Sequence, residues 1–177
     1  MKVTIIPGYL SSDFVDKIIQ TGEKNPYNPG LVLDLGLDPN RVCELANIDL
    51  LTEVWLANLL SHVANYTNAN YGFHLSYPRE ASVTKYNIGG HYKWHHDIDW
   101  RSHPVQRKVS ISVQLTDPTE YEGGDLEFQD TTSPDPQSMR QKGTVIVFPS
   151  YVVHRVTPVT KGVRKALVSW IEGPAWR

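Results

Sequence analysis

Tyr86-Asn87-Ile88-Gly89-Gly90-His91-Tyr92-Lys93-Trp94-His95-His96-Asp97 reads as the end of one strand, a glycine turn and the start of a second strand. In an extended chain, side chains two residues apart leave on the same face. His95 and Asp97 then converge on one point, and His96 faces the other way. An imidazole and a carboxylate make half of a metal site. The candidate for the other half is His154, inside another extended segment. Two imidazoles and a carboxylate on one face suit non-haem iron(II), with positions left open for substrates; the same set also serves zinc. A His-x-Asp triplet is a weak signal by itself, and its plain alternative is a strand-end histidine bonded to a neighbouring aspartate. Of the seven histidines, however, only His95 begins one.

Downstream of Tyr71 the chain reads as short strands with turn punctuation, at residues 81–87, 92–97, 106–116, 125–129, 144–148, 152–156 and 163–171. Gly123-Gly124, Ser133-Pro134-Asp135-Pro136 and Lys161-Gly162 are among the breaks. Many short strands without intervening helices predict a sandwich or jelly roll. Upstream, Val3 to Ile6 predicts a strand that stops at Pro7-Gly8. Ser11 or Ser12 then caps a helix whose stripe is Phe14, Val15, Ile18 and Ile19. A second helix is expected to start at Asn47 or Asp49, with Leu51, Trp55, Leu59, Val63 and Tyr66 on one face. Both helices should pack on one sheet from outside. Residues 23–40 carry the prolines, glycines and asparagines of a loop or lid, with a brief strand expected at Leu31 to Leu35.

A chain of 177 residues suits one domain spanning 1–177. The formal charge of −2 supplies no broad basic field, which argues against nucleic acid as the main partner. Cys43 is the sole cysteine, so no internal disulfide can form, as in a reducing compartment. No signal peptide and no apolar stretch of membrane-spanning length is evident. The expectation is a cytoplasmic protein without a membrane partner; oligomeric state is not legible.

Arg164 stands at the start of a strongly apolar strand, ten residues after His154. A guanidinium entering a core needs a partner, and its planar fork is a good clamp for a carboxylate. The order Tyr86-x-x-Gly89-x-x-Tyr92-x-x-His95-x-Asp97, then Gly123-Gly124-Asp125-Leu126, His154, Arg164 and Trp170 resembles the 2-oxoglutarate- and iron(II)-dependent dioxygenases. It is most similar to their prolyl 4-hydroxylase-like branch, which includes PKHD-type hydroxylases.

The resemblance implies a mainly β fold, the double-stranded β-helix or cupin-like jelly roll, with flanking helices on one sheet. It implies His95, Asp97 and His154 as iron ligands, Arg164 as the partner of the distal carboxylate of 2-oxoglutarate, and Tyr86 as an added hydrogen bond. Iron(II), 2-oxoglutarate and O2 would be the cofactor and cosubstrates, and the resemblance admits ascorbate. The implied reaction hydroxylates an unactivated C–H bond and releases succinate and CO2. A peptidyl residue such as proline is the expected substrate, and a free amino acid or small metabolite the alternative. Trp94, Trp100, Asp99, Arg101 and Arg155 are candidates for the substrate mouth. Ser110, Ser112 and Gln114 share one face of a strand, for which solvent is the expected neighbour. A non-catalytic metal-binding jelly roll and a zinc hydrolase remain the competing classes, and Arg164 argues against both.

Overall fold

The computed structural model describes residues 3–31, 36–98, 104–129 and 135–176. The chain enters through β1 (Thr4–Ile6) and passes into α1 (Ser12–Gly22). Ser11 caps this helix by accepting the Phe14 amide. Val15 and Ile18 are buried whereas Phe14 is exposed, so the apolar stripe is narrower than the sequence suggests. The short strands β2 (Asn28–Pro29) and β3 (Arg41–Val42) follow. Four of the five residues of the strand expected at Leu31 to Leu35 lie outside the described residues.

The second helix departs from expectation. Residues Glu44–Asp49 form a strand, β4, and the helix α2 spans Val54–Asn68. Its buried face is Leu56, Ala57, Leu60, Val63, Ala64 and Thr67, while Leu51 is 68% and Tyr66 72% exposed. Two helical phases compete in this stretch, and the one that places more aliphatic side chains against the sheet wins. In β4, Ala46 and Ile48 alternate with exposed neighbours and the strand pairs over six residues with the strand that follows α2, so tertiary pairing overrides local propensity.

The remaining elements are β5 (Glu80–Tyr86), β6 (His91–His95), β7 (Val105–Gln114), β8 (Tyr121–Gly123), β9 (Leu126–Phe128), α3 (Pro136–Arg140), β10 (Val145–Pro149), β11 (His154–Val156), β12 (Val159–Gly162) and β13 (Arg164–Pro174). The larger sheet has the order β1-β10-β7-β13-β5-β4-β2, and the smaller β3-β6-β11-β9, with antiparallel pairs throughout. β8 and β12 form a separate pair.

Both faces of the larger sheet are covered. Val145 and Val147 of β10 join a core with Val15, Ile18, Leu56 and Leu60 from the helices. Ile146 and Phe148, on the opposite face, pack with Phe128, Val152 and Val156 of the smaller-sheet side. Each fully buried aliphatic side chain contributes roughly 1.5–3 kcal/mol. Two facing antiparallel sheets, with helices on the outer face of the larger, make the double-stranded β-helix. The pleat sends alternate β7 and β13 residues into the space between the sheets, and there the site forms.

Candidate active site

β6 and β11 place the two histidines. His95 ends β6, and His154 begins β11 directly opposite it in the ladder. Their rings lie 4.2 Å apart between centroids. In each ring Nδ1 meets a backbone carbonyl, Lys93 O at 2.7 Å for His95 and Val152 O at 2.9 Å for His154. A carbonyl only accepts, so Nδ1 carries the proton and the lone pair is left on Nε2, on the side of Asp97. Asp97 Oδ1 lies 3.5 Å from His95 Nε2, and Oδ2 lies 3.6 Å from His154 Nε2. One donor atom from each residue fits within 4.8 Å of the other two, a spacing that a single ion can bridge.

Asp97 reaches this position by a different route from the one the sequence suggests. The strand stops at His95, so the pleat does not carry Asp97 to the same face. Instead its amide donates to Ser150 O at 2.9 Å, and its Oδ2 accepts from Ser110 Oγ at 2.6 Å. Ser150 Oγ lies 3.0 Å from Ser110 Oγ and completes the support. His96 is exposed and outside the donor group.

Electrostatics prepare the same set. Burial raises the Asp97 pKa, but His154, His95 and the Ser110 hydroxyl outweigh it and hold the carboxyl well below its usual range. Burial lowers His154 to about 4, against the pull of Asp97. Near neutral pH the site holds a carboxylate and a neutral imidazole, the forms that ligate a cation. This has a consequence for stability without metal. An unfolded chain takes up the His154 proton near pH 6.5 and the native chain only near 4. Stability is therefore unaffected by His154 above 6.5 and is lost as pH falls towards 4. By pH 5 the loss owed to this residue should be about 2 kcal/mol. Urea unfolding of metal-free protein at pH 7 and pH 5 checks this: His154→Gln should show a correspondingly smaller drop.

A second group faces the same cavity. Arg164 opens β13 beside Tyr86, is 1% exposed, and has no carboxylate partner among the described residues. Its Nη2 donates to Gln114 Oε1 at 2.5 Å, and Gln114 Nε2 donates to Tyr121 Oη at 2.9 Å, which fixes the amide. Arg164 Nε has no acceptor, and neither does Thr84 Oγ1, in the wall of the same cavity. Gly124, at a φ of 64°, leaves room for the arginine stem, because a Cβ there would stand 3.0 Å from Arg164 Cδ. A buried cation with an unused donor is costly unless an anion completes it. Orphaned donors and an inward-facing triad of side chains able to ligate a metal fit a small dicarboxylate bound beside iron(II).

Other expected residues are distributed as follows. Tyr86 is buried, its ring centre 5.4 Å from the Arg164 guanidinium, and burial pushes its hydroxyl pKa up, so it is a neutral donor. Ser110, Ser112 and Gln114 are buried, not solvated as expected; β7 lies between β10 and β13, and the smaller sheet roofs its polar face. Trp94 is 43% exposed beside His95, with the Arg155 guanidinium 4.6 Å from its ring centre. Arg155 also donates to Glu127 Oε2 at 2.6 Å, so its charge is already paired. Asp99, Trp100 and Arg101 lie outside the described residues. Thr84 and Ser150 escaped the sequence reading. Thr84 shares the parity of Tyr86 and was discoverable, whereas Ser150 sits in a turn without pattern.

The profile of the 2OG-Fe(II) oxygenase superfamily matches residues 81–172, from β5 through most of β13. The PKHD-type hydroxylase YbiX of Escherichia coli (strain 55989 / EAEC) is 31% identical over 175 residues, covering 94% of this chain and 76% of that protein. YbiX of Shigella boydii serotype 18 is similar to the same extent. Among solved structures, a Pseudomonas putida prolyl-4-hydroxylase superposes with a TM-score of 0.75 at 20% identity, over 98% of this chain and 93% of that one. A viral collagen prolyl hydroxylase from Paramecium Bursaria Chlorella virus-1, as its 2OG complex, gives 0.73 at 22% identity, over 98% and 97%. A Trichoplax adhaerens prolyl hydroxylase, in complex with a peptide fragment of the hypoxia inducible factor oxygen degradation domain, gives 0.75 at 18% identity, over 96% and 82%.

Proposed function

We propose, for a chain that belongs to the 2OG-Fe(II) oxygenase superfamily and is a PKHD-type, 2-oxoglutarate-dependent hydroxylase, that His95, Asp97 and His154 hold its iron and that Arg164 holds its cosubstrate. One observation carries the assignment: the buried, carboxylate-free Arg164 opens into the same cavity as the triad. A structural metal or a zinc hydrolase needs no such cation. Iron(II) and 2-oxoglutarate, bound together, supply the oxidising power that puts one oxygen of O2 into a C–H bond, with succinate and CO2 as co-products.

The chain's own part is position and exclusion. Lys93 O and Val152 O hold the two imidazoles in the ligating tautomer, and Ser110 aims the Asp97 carboxylate. Gln114 steers the Arg164 fork, with Tyr86 and Thr84 as further donors in the wall. Leu126, Phe148 and Val156 line the cavity and keep water from it.

For the substrate we favour a peptidyl residue such as proline. An open groove lined by Tyr92, Lys93, Trp94 and Arg155 runs beside His95. The structural neighbour from Trichoplax adhaerens is described with a peptide bound. Residues 1–177 are proposed to act as one domain, in the cytoplasm. No helix among the described residues is long and apolar enough to cross a membrane. The test is anaerobic addition of iron(II) and 2-oxoglutarate, followed by air and a mass-spectrometric screen of proline peptides and free amino acids for a gain of one oxygen. An absorbance band, succinate release and an oxygenated peptide are expected. Oxygenation of free amino acids alone would replace the peptide reading, and no succinate would remove the hydroxylase assignment.

A further inference from the structure

Arg41 supplies a second guanidinium to the same cavity. It belongs to β3, directly after the stretch 23–40 that the sequence marks as a loop or lid, and pairs with Tyr92 of β6. Its Nη1 donates to Leu31 O at 2.9 Å, its guanidinium centre lies 4.8 Å from the Tyr92 ring centre, and Tyr92 in turn stacks on His95 at 3.5 Å. Its Nε is buried without an acceptor. Gly30 packs against it, where a Cβ would stand 3.0 Å from Nε.

No anion meets this charge among the described residues. Its neighbours Cys43, Tyr86 and Tyr92 all have pKa values raised by burial and stay neutral. Nor does the loaded site neutralise it. The two charges of iron(II) and the cation of Arg164 are cancelled by Asp97 and the two carboxylates of 2-oxoglutarate. Among the described residues no carboxylate is then left to match the half-buried Arg41 beside the reacting centre, and a carboxylate on the primary substrate would match it.

We propose that Arg41 is a specificity residue that selects a substrate bearing a carboxylate close to the hydroxylated carbon. The carboxylate can be an acidic side chain or free C-terminus of a peptide, or the α-carboxylate of a free amino acid. The inference rests on the iron and 2-oxoglutarate reading and adds the charge of the substrate to it.

The probes are a doubly capped Ala-Pro-Asp-Ala peptide, its Asn counterpart capped and with a free C-terminus, and free proline. Binding is measured anaerobically by calorimetry with iron(II) and 2-oxoglutarate present, and turnover in air. At least one carboxylate-bearing probe should bind about ten- to hundredfold more tightly than the capped Asn peptide, the usual worth of a hydrogen bond to a charged group. Which probe does so tells the source of the carboxylate. Arg41→Met should erase the preference, Arg41→Lys should keep part of it, and 2-oxoglutarate affinity and iron content should stay as in the wild type. Absence of any preference, or a preference that survives Arg41→Met in folded protein, overturns the assignment. Failure of the wild type to bind 2-oxoglutarate would instead overturn the functional reading beneath it.

Discussion

Arg164→Leu should retain iron and lose 2-oxoglutarate, with affinity for the cosubstrate falling by about thirtyfold to several thousandfold. The range follows from the roughly 2–5 kcal/mol lost when one partner of a buried charge pair is truncated. A merely structural arginine would behave differently. Removing it would unfold or loosen the protein and lower iron retention together with cosubstrate affinity. Here the side chain is 1% exposed, carries an unused Nε donor, and meets a neutral amide in place of an acid. Leucine relieves an uncompensated charge at the cost of leaving Gln114 Oε1 without its donor, a loss of about 1–3 kcal/mol. These two effects oppose each other, so the melting temperature of ligand-free protein should move little. Arg164→Lys keeps the charge without the fork and should fall between the two. Calorimetric titration with 2-oxoglutarate, beside metal analysis and a melting curve, separates the roles. Unchanged 2-oxoglutarate affinity in Arg164→Leu would place the clamp elsewhere.

The residues most legible in the sequence are those whose side chains are out of place in strands. His95, Asp97, His154 and Arg164 interrupt β-rich segments, and the cavity gathers all four. Strands such as β7 and β13 were legible because the first alternates apolar and polar residues from Val109 to Gln114 and the second is a strongly apolar run after the Lys161-Gly162 turn. The short strands β3 and β12 were not, since two to four residues carry no periodicity and exist as strands only through their partners. The same limit hid Arg41, which looks like loop material until β6 pairs with it. Glu44 to Asp49 misled because a short alternating run beside a helix is consistent with either state, and only β5 across the ladder decides it. Ser110 and Ser112 misled in the opposite sense. A polar strand face suggests solvent, and sequence cannot show that a second sheet will cover it. Asp97 does come close to His95, but by another route than strand parity: the pleat brings His95 inward, whereas Ser110 from β7 and Ser150 from a turn bring Asp97.

That support predicts a graded loss of iron along the chain of contacts. Asp97→Ala and His154→Ala each remove a proposed ligand and should leave the protein without retained iron after desalting. Ser110→Ala removes only the hydroxyl that donates to Asp97 Oδ2 at 2.6 Å. Loss of such an outer partner costs about 10- to 100-fold in metal affinity, so this variant should bind iron weakly and measurably. His96→Ala, one residue from His95, should retain iron at the wild-type level, because His96 is exposed and outside the donor group. The contrast between adjacent histidines is what makes the experiment decisive. Damage to the fold would affect His95→Ala and His96→Ala alike, whereas ligation distinguishes them by which imidazole joins Asp97 and His154 in the donor group. Iron retained by His95→Ala and lost by His96→Ala would exchange their roles, and with them the geometry on which the Arg164 and Arg41 assignments stand.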